Sequence, residues 1–281
     1  MNMWYTEKHS ENVGITMRVS ETLFSGKSEF QQLDIVNTLE YGKMMLLDGL
    51  VMVTERDEFV YHDMLVHPAL FTHPSPRQVL VIGGGDGGSI REIVRHPEVE
   101  LATLCEIDGL VVDKSVELLP SMASAIDGQH PKVKLHIADG LAYIREHQNA
   151  FDVILVDSTD PIGPAVGLFE KDFYRLVHGA LKADGIMVAQ SESPFYHAEI
   201  QKNMYRNLRA VFPLVAMYQA FIPTYPSGLW SFAFASKRYH PLRDFQRDRA
   251  ARRNFHTKYY NEDLHSGAFM LPTFAKENIA E

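Results

Sequence analysis

The sequence predicts an α/β protein: a doubly wound, largely parallel sheet that ends in an antiparallel hairpin, with a small antiparallel β domain in front of it. Three observations lead there. Short β-like runs punctuated by Tyr41-Gly42 and Asp48-Gly49 fill the first 54 residues. From residue 76 onward, apolar strands alternate with helical segments, the pattern of βαβ crossovers. Finally, two strand-like runs, 215–222 and 229–236, are separated only by 223–228, too short a link for a crossover helix, so they must be antiparallel if they pair.

The elements follow in order. Strands are expected at 15–24, 30–38, 41–47 and 50–54, with Leu47-Asp48-Gly49-Leu50 as a tight hairpin. Thr54 with an acid three residues later, Asp57, reads as a capping box that opens a helix running to about Phe71, and His73-Pro74-Ser75-Pro76 breaks it. The expected organisation is therefore a β domain over 1–54, a connecting helix over 55–75 and a large domain over 76–281. In the large domain strands are expected at 78–82, 101–106, 133–137, 151–156 and 186–190. Helices are expected at 89–96, 111–119, 141–147, 168–181 and 198–212. Gln78-Val79-Leu80-Val81-Ile82 and Phe151-Asp152-Val153-Ile154-Leu155-Val156 are nearly continuous apolar runs, as parallel strands covered on both faces require.

Composition narrows the function. With 46% apolar and 22% charged residues the 281-residue chain reads as an ordinary globular protein, and no run approaches the roughly 18 apolar residues of a membrane span. A net charge of −9 gives no overall basic footprint for nucleic acid. The basic stretch 237–253 reads as a solvated helix face. One cysteine, Cys105, excludes an intrachain disulfide framework, and with no apolar signal core at the start the expectation is a cytoplasmic protein.

Two places carry chemistry. Ile82-Gly83-Gly84-Gly85-Asp86-Gly87-Gly88 joins the first large-domain strand to its helix and satisfies G-x-G-x-x-G at Gly83, Gly85 and Gly88. Glu106 ends the next strand, where a carboxylate can accept from two ribose hydroxyls, and Asp139-Gly140 closes the third, within reach of an adenine edge. This reads as a nucleotide or nucleoside site and does not separate NAD from an adenosyl sulfonium. Asp157-Ser158-Thr159-Asp160-Pro161 follows the fourth strand, so Asp86, Asp157 and Asp160 can face one pocket beyond the strand ends. Clustered carboxylates call for a cation. The 13 histidines show no metal-ligand spacing, and no metal is expected. Tyr61 and Tyr225, each read as ordinary core packing when taken singly, favour an organic polyamine in combination with the aspartates. Cys105 reads as a small buried hydrophobe.

Glu55-Arg56-Asp57-Glu58-Phe59, Gly83–Gly88, Cys105-Glu106-Ile107-Asp108, residues 157–164 and residues 222–228 occur in the order seen in spermidine synthases. Over essentially its whole length, from Trp4 to Lys258-Tyr259-Tyr260-Asn261, the chain resembles a polyamine aminopropyltransferase. The large domain likewise resembles the Rossmann-like, class I methyltransferase-type sheet. The resemblance implies transfer of an aminopropyl group from decarboxylated S-adenosylmethionine, a co-substrate rather than a bound cofactor, to putrescine. Spermidine and methylthioadenosine would be the products, and the assembly a homodimer or homotetramer. It further implies that Gln31, Gly83, Gly85, Asp86, Glu106, Asp139, Gly140 and Pro164 serve the donor, with Asp86 on its aminopropyl ammonium. Tyr61, His62, Asp86, Asp157, Asp160, Gln190 and Tyr225 would line the amine groove, and Asp157 would accept the proton. His62 stands where some members carry Gln. Glu192 is a second candidate, beside Asp160, for the far ammonium of the acceptor, and residues 157–173 have the composition of a closing loop.

Three other readings share parts of this pattern. A diamine N-methyltransferase would use the same nucleoside motifs, but its donor bears a carboxylate that Asp86 would repel. A non-catalytic polyamine- or nucleoside-binding protein would not need Asp157 beside Tyr61 and Tyr225. An NAD oxidoreductase would need a catalytic Tyr-Lys or His-Asp arrangement, which the sequence does not offer in a suitable context.

Overall fold

The structure, a computed structural model, describes residues 3–159 and 167–280. Asp160 and Pro164 lie outside them. Two sheets organise the chain. The first contains β1 (Met3–Lys8), β2 (Gly14–Lys27), β3 (Gln32–Thr38), β4 (Gly42–Leu47) and β5 (Leu50–Thr54), antiparallel throughout and in sequence order. Asp48 and Gly49 turn β4 into β5 with φ of 48° and 81°, the left-handed pair that an Asp-Gly hairpin supplies. One face of this sheet buries Met17, Val19, Val36, Met44 and Leu46. The other buries Leu33, Ile35, Met45 and Val53 against Val111, Leu119 and Met122, which fastens the small sheet to the large domain.

The second part runs α1 (Glu58–Thr72), β6 (Gln78–Gly83), α2 (Gly88–Val94), β7 (Leu101–Glu106), α3 (Gly109–Leu118), α4 (Pro120–Ala123), β8 (Val133–Ile137) and α5 (Gly140–Arg145). It continues with β9 (Phe151–Asp157), α6 (Lys171–Ala180), β10 (Leu181–Gln190), α7 (Ala198–Arg209), β11 (Leu214–Phe221) and β12 (Leu229–Ser236). Short helices α8 (Arg247–Ala251), α9 (Glu262–Ala268) and α10 (Thr273–Asn278) close it. The sheet order is β11-β12-β10-β9-β6-β7-β8, with β12 antiparallel to both β10 and β11 and the other pairings parallel. This is the doubly wound sheet with a terminal antiparallel hairpin. Alternate residues of the central strands feed two apolar layers. Val79, Val81, Val153 and Leu155 pack beneath α1 and α2, while Leu80, Ile82, Ile154 and Val156 pack with Phe173, Tyr205 and Leu208 on the other face.

The element boundaries depart from expectation in several places. A strand precedes the expected first one: Met3–Lys8 pairs with β2. The third strand starts at Gln32 rather than residue 30, and the helix expected over 168–181 starts at Lys171 and gives up Leu181 to β10. The proline expected to end a helix at 120 instead opens α4. The capping box is the most instructive. α1 begins at Glu58, not beside Thr54. The Thr54 hydroxyl donates to Asp57 Oδ1 at 2.6 Å and accepts from the Asp57 N–H at 3.4 Å, so the pair clamps a turn at the end of β5. Asp57 Oδ2 in turn accepts from the N–H and hydroxyl of Thr224 at 3.1 and 2.8 Å. One buried carboxylate therefore ties the start of α1 to the loop that carries Tyr225.

Asp57→Ala removes the acceptor of three side-chain-directed hydrogen bonds in a buried turn. Urea unfolding should show a loss of about 2–4 kcal/mol. A loss below about 0.5 kcal/mol would mean that the clamp contributes nothing.

Candidate active site

Strand register brings the acids together. Gly83 pairs with Asp157 and Ile82 with Cys105, so the carboxyl ends of β9, β6 and β7 lie side by side and carry Asp157, Asp86 and Glu106. They line one cleft with Gln31, Gly83, Gly85, Asp139, Gly140, Tyr61 and Tyr225. Cys105 also borders it. It is buried, and its thiol is pushed up to about 12 chiefly by burial, so it is an inert wall. A second cavity shares Tyr61 and Tyr225 and extends to Glu7, Met52, Gln190, Pro226 and Trp230. The two form a groove that runs from the strand ends to the edge of the small sheet.

The nucleoside-like end is built from backbone and carboxylates. Gly84 has φ of 76°, and a Cβ there would lie 2.7 Å from Asp157 Oδ2, so only glycine lets the loop pass this close to the acid. Glu106 accepts from Gly85 N–H at 3.2 Å and Asp108 N–H at 2.9 Å. Burial nevertheless pushes its carboxyl up to about 7. Gln31 donates to Asp108 Oδ2 at 2.9 Å, which fixes a side chain from the small sheet over the cleft. Asp139 accepts from Leu141 N–H at 2.8 Å as the cap of α5.

At the centre, Asp157 accepts from Tyr61 Oη at 2.8 Å and from Ser89 Oγ at 2.6 Å. Asp86 accepts from Gly88 N–H at 2.7 Å. Burial and the neighbouring Asp86 charge raise the Asp157 carboxyl above the ordinary range. Burial also pushes Asp86 up, but the His62 charge outweighs it and leaves Asp86 below that range. Two adjacent aspartates are thus driven apart in acidity, the arrangement that separates an ionised anchor from a proton acceptor. The Tyr61 and Tyr225 rings lie 5.9 Å apart, and Tyr225 Oη donates to Met52 O at 2.5 Å.

Of the residues the sequence singled out, Gln31, Gly83, Gly85, Asp86, Glu106, Asp139, Gly140, Tyr61, Asp157 and Tyr225 meet around one cleft, and Gln190 lines its extension. His62 is placed differently: it is fully buried and borders neither cavity. Its Nδ1 lies 2.6 Å from Glu58 Oε2 and its Nε2 3.2 Å from Asp86 Oδ1. A Cβ on Gly88 would sit 2.2 Å from this ring, so that glycine makes room for the histidine.

Sequence reasoning missed Ser89, whose hydroxyl only the first turn of α2 delivers to Asp157. It also missed Glu7, which lies in the unanticipated strand β1, accepts from Val51 N–H at 3.0 Å and is pushed up to about 7 by burial. Glu192 sits at a φ of 65° with its carboxylate 2.8 Å from His197 Nδ1 and accepting from Gln190 Nε2 at 3.3 Å. Among the described residues, two groups bring three potential metal-ligand atoms within 4.8 Å, His62/Asp86/Asp157 and Asp63/His67/Glu92. In the second, Glu92 is already paired with Arg91 and Arg95 at 2.9 and 2.6 Å, which describes an ion-pair network.

Fold and site together define a Rossmann-like transferase with a fused β domain. The spermine/spermidine synthase domain matches residues 58–247, and the spermidine synthase tetramerisation domain matches residues 3–55. A polyamine aminopropyltransferase of Shouchella clausii is 50% identical over 280 residues, 99% of either chain. A crystal structure of spermidine synthase in complex with the transition-state analogue AdoDATO superposes with a TM-score of 0.96 at 43% identity, covering 99% of this chain and 94% of that one. The spermidine synthase from Thermotoga maritima gives 0.94 at the same identity and coverage. The chain belongs to the spermine/spermidine synthase family and is an enzyme of the polyamine aminopropyltransferase class.

Because Glu106 binds its proton more tightly folded than unfolded, its contribution to stability is complete below about pH 4.5 and is lost as pH rises through about 7. From pH 4.5 to 8, urea unfolding should therefore show Glu106→Gln gaining on wild type by about 3 kcal/mol, from 1.36 kcal/mol per pKa unit. A pH-independent difference would show that Glu106 ionises normally.

Proposed function

We propose that this chain moves the aminopropyl group of decarboxylated S-adenosylmethionine to putrescine, giving spermidine and methylthioadenosine. The observation that carries the reading is the pair Asp86 and Asp157, held at adjacent strand ends with opposite shifts in acidity and flanked by Tyr61 and Tyr225. That a closely superposing spermidine synthase was crystallised with the transition-state analogue AdoDATO supports small-molecule substrates for this chain. Glu106 would take the ribose hydroxyls, Asp139 and Gly140 the base, Gln31 the roof, and Asp86 the donor ammonium. The described residues do not include Asp160 and Pro164, whose roles remain those implied by resemblance.

The chemistry needs a neutral amine. An alkylammonium has a pKa near 10, so freeing its lone pair at pH 7 costs about 4 kcal/mol. The amine nitrogen attacks the carbon next to the sulfonium and the C–S bond breaks, its electrons neutralising sulfur. The amine proton passes to Asp157, whose raised pKa suits it to receive one. Tyr61 and Ser89 aim this carboxylate from two sides, and the acceptor's methylene chain runs along the Tyr61 and Tyr225 rings. Glu7 and Gln190, at the end of the groove, would meet the second ammonium. The small sheet, matching a tetramerisation domain, supports a homodimeric or homotetrameric assembly. The single cysteine suits a reducing cytoplasm.

Asp157→Asn should bind methylthioadenosine normally while mass-spectrometric turnover with putrescine falls by about 10²–10⁴. Wild-type turnover in that variant would remove Asp157 from the mechanism. Ribose hydroxyls need ionised Glu106, so calorimetry of methylthioadenosine binding near pH 6.5 should show proton release that vanishes in Glu106→Gln. Equal release by both proteins would place the ribose elsewhere.

A further inference from the structure

The basic stretch 237–253 does not form the solvated helix face that its composition predicts. Arg249 in α8 and Arg253 just beyond it are mostly buried, with side-chain exposures of 21% and 16%. With Arg252, which caps α8, they line a cavity of about 490 Å³ whose other walls include Phe71, His96 and Phe255. That volume falls within the usual range for small-molecule sites. The cavity shares no lining residue with the catalytic groove. On α1, Phe71 lies about 15 Å along the helix from Tyr61.

The three guanidiniums are only partly satisfied. Arg249 donates from Nη1 to Pro74 O at 3.0 Å and from Nη2 to His73 O at 2.8 Å and to Leu70 O, which covers the carbonyl end of α1. Its Nε–H is buried without an acceptor, and the Glu98 carboxylate stands 3.9 Å away, beyond hydrogen-bond reach. Arg253 spends its terminal nitrogens on Ala250 O, Thr257 Oγ1, Tyr260 O and Glu262, and its Nε–H is likewise buried without an acceptor. Among the described residues Arg252 has no ion pair or side-chain hydrogen bond. The acids on the cavity wall are Glu98 and the exposed Asp248, so cationic charge is in excess. Burial, then His67 and Arg249, push the His96 ring well below its ordinary value, which leaves the arginines to supply that charge. Burial also lowers Arg249, and Glu98 offsets only part of it. A half-buried cation short of acceptors is stabilised by an oxyanion.

We propose that this cavity is a binding site for a small phosphate ester, separate from the catalytic groove. The phosphate group sits on Arg252 and its neighbours Arg249 and Arg253, and the ester group fills the rest of the volume beside Pro97 and Phe255. The planar fork of a guanidinium matches phosphate oxygens. Three terminal oxygens can serve three separate arginines, which the two of a carboxylate cannot. The cavity is also far larger than a bare phosphate, which favours the ester over the free ion.

Calorimetry on the whole chain tests this with phenyl phosphate, inorganic phosphate and phenol, in excess methylthioadenosine so that the catalytic cleft is filled. Phenyl phosphate should bind saturably, inorganic phosphate more weakly, and phenol not at all. Arg252→Gln, a change at an unpaired side chain, should weaken phenyl phosphate about tenfold, the size of a lost charged hydrogen bond. Glu98→Gln removes an opposing carboxylate and should tighten it. Arg243→Gln removes the same charge from an exposed position outside the cavity and should leave the affinity within about twofold, because solvent and salt screen it. Aminopropyl transfer by Arg252→Gln without the probe should equal that of wild type. No saturable binding of phenyl phosphate would overturn the site, as would an affinity that Arg252→Gln leaves unchanged. Equal losses in Arg252→Gln and Arg243→Gln would overturn it too, since they mark diffuse attraction to a basic surface. Equal affinity for phenyl phosphate and inorganic phosphate would overturn the ester and leave a site for the free ion.

Discussion

Two carboxylates at neighbouring strand ends repel each other, and most of what surrounds this site follows from holding Asp86 and Asp157 together in spite of that. In a buried cleft the repulsion is poorly screened. The protein resolves it by asymmetry. His62 supplies positive charge on the side of Asp86, which stays ionised, while Tyr61 and Ser89 offer Asp157 neutral hydrogen bonds and leave its carboxyl raised. A cationic substrate completes the neutralisation that the protein leaves partial.

The same constraint explains the chain around it. Glycine is required at positions 84 and 88 because Asp157 and the His62 ring approach the loop there. The Glu55-Arg56-Asp57-Glu58 stretch works as a set of anchors. Glu55 accepts from Lys43 N–H at 2.9 Å, Asp57 holds the Thr224 loop, and Glu58 holds His62 and Arg91. Three acids in one short segment thus fasten β4, the Tyr225 loop and α2 around the start of α1. The small sheet is joined to the site both through its apolar face and through Gln31 on Asp108.

The central sheet was legible because strands buried on both faces write continuous apolar runs, and Leu101–Glu106 and Leu229–Ser236 fall where expected. Met3–Lys8 escaped because it is mostly exposed and has no apolar face to announce it. The C-terminal helices are too short to display a period. Thr54 misled because a hydroxyl and an acid three residues apart serve a turn clamp as well as a helix cap. In the site, Asp86, Glu106, Asp139 and Asp157 were readable from one rule, that ligands sit beyond the carboxyl ends of parallel strands. Ser89, Arg91 and Glu7 were not, because their partners are set by how α1, α2 and β1 pack, and no local spacing records that.

The split between the two aspartates is open to direct observation. Carboxyl ¹³C NMR of the ligand-free protein, labelled at aspartate and assigned through Asp86→Asn and Asp157→Asn, would follow both groups through acid titration. The account predicts that Asp157 takes its proton first as pH falls, above the ordinary carboxylate range, and that Asp86 remains ionised below it. The reverse order, or two ordinary and independent titrations, would contradict it.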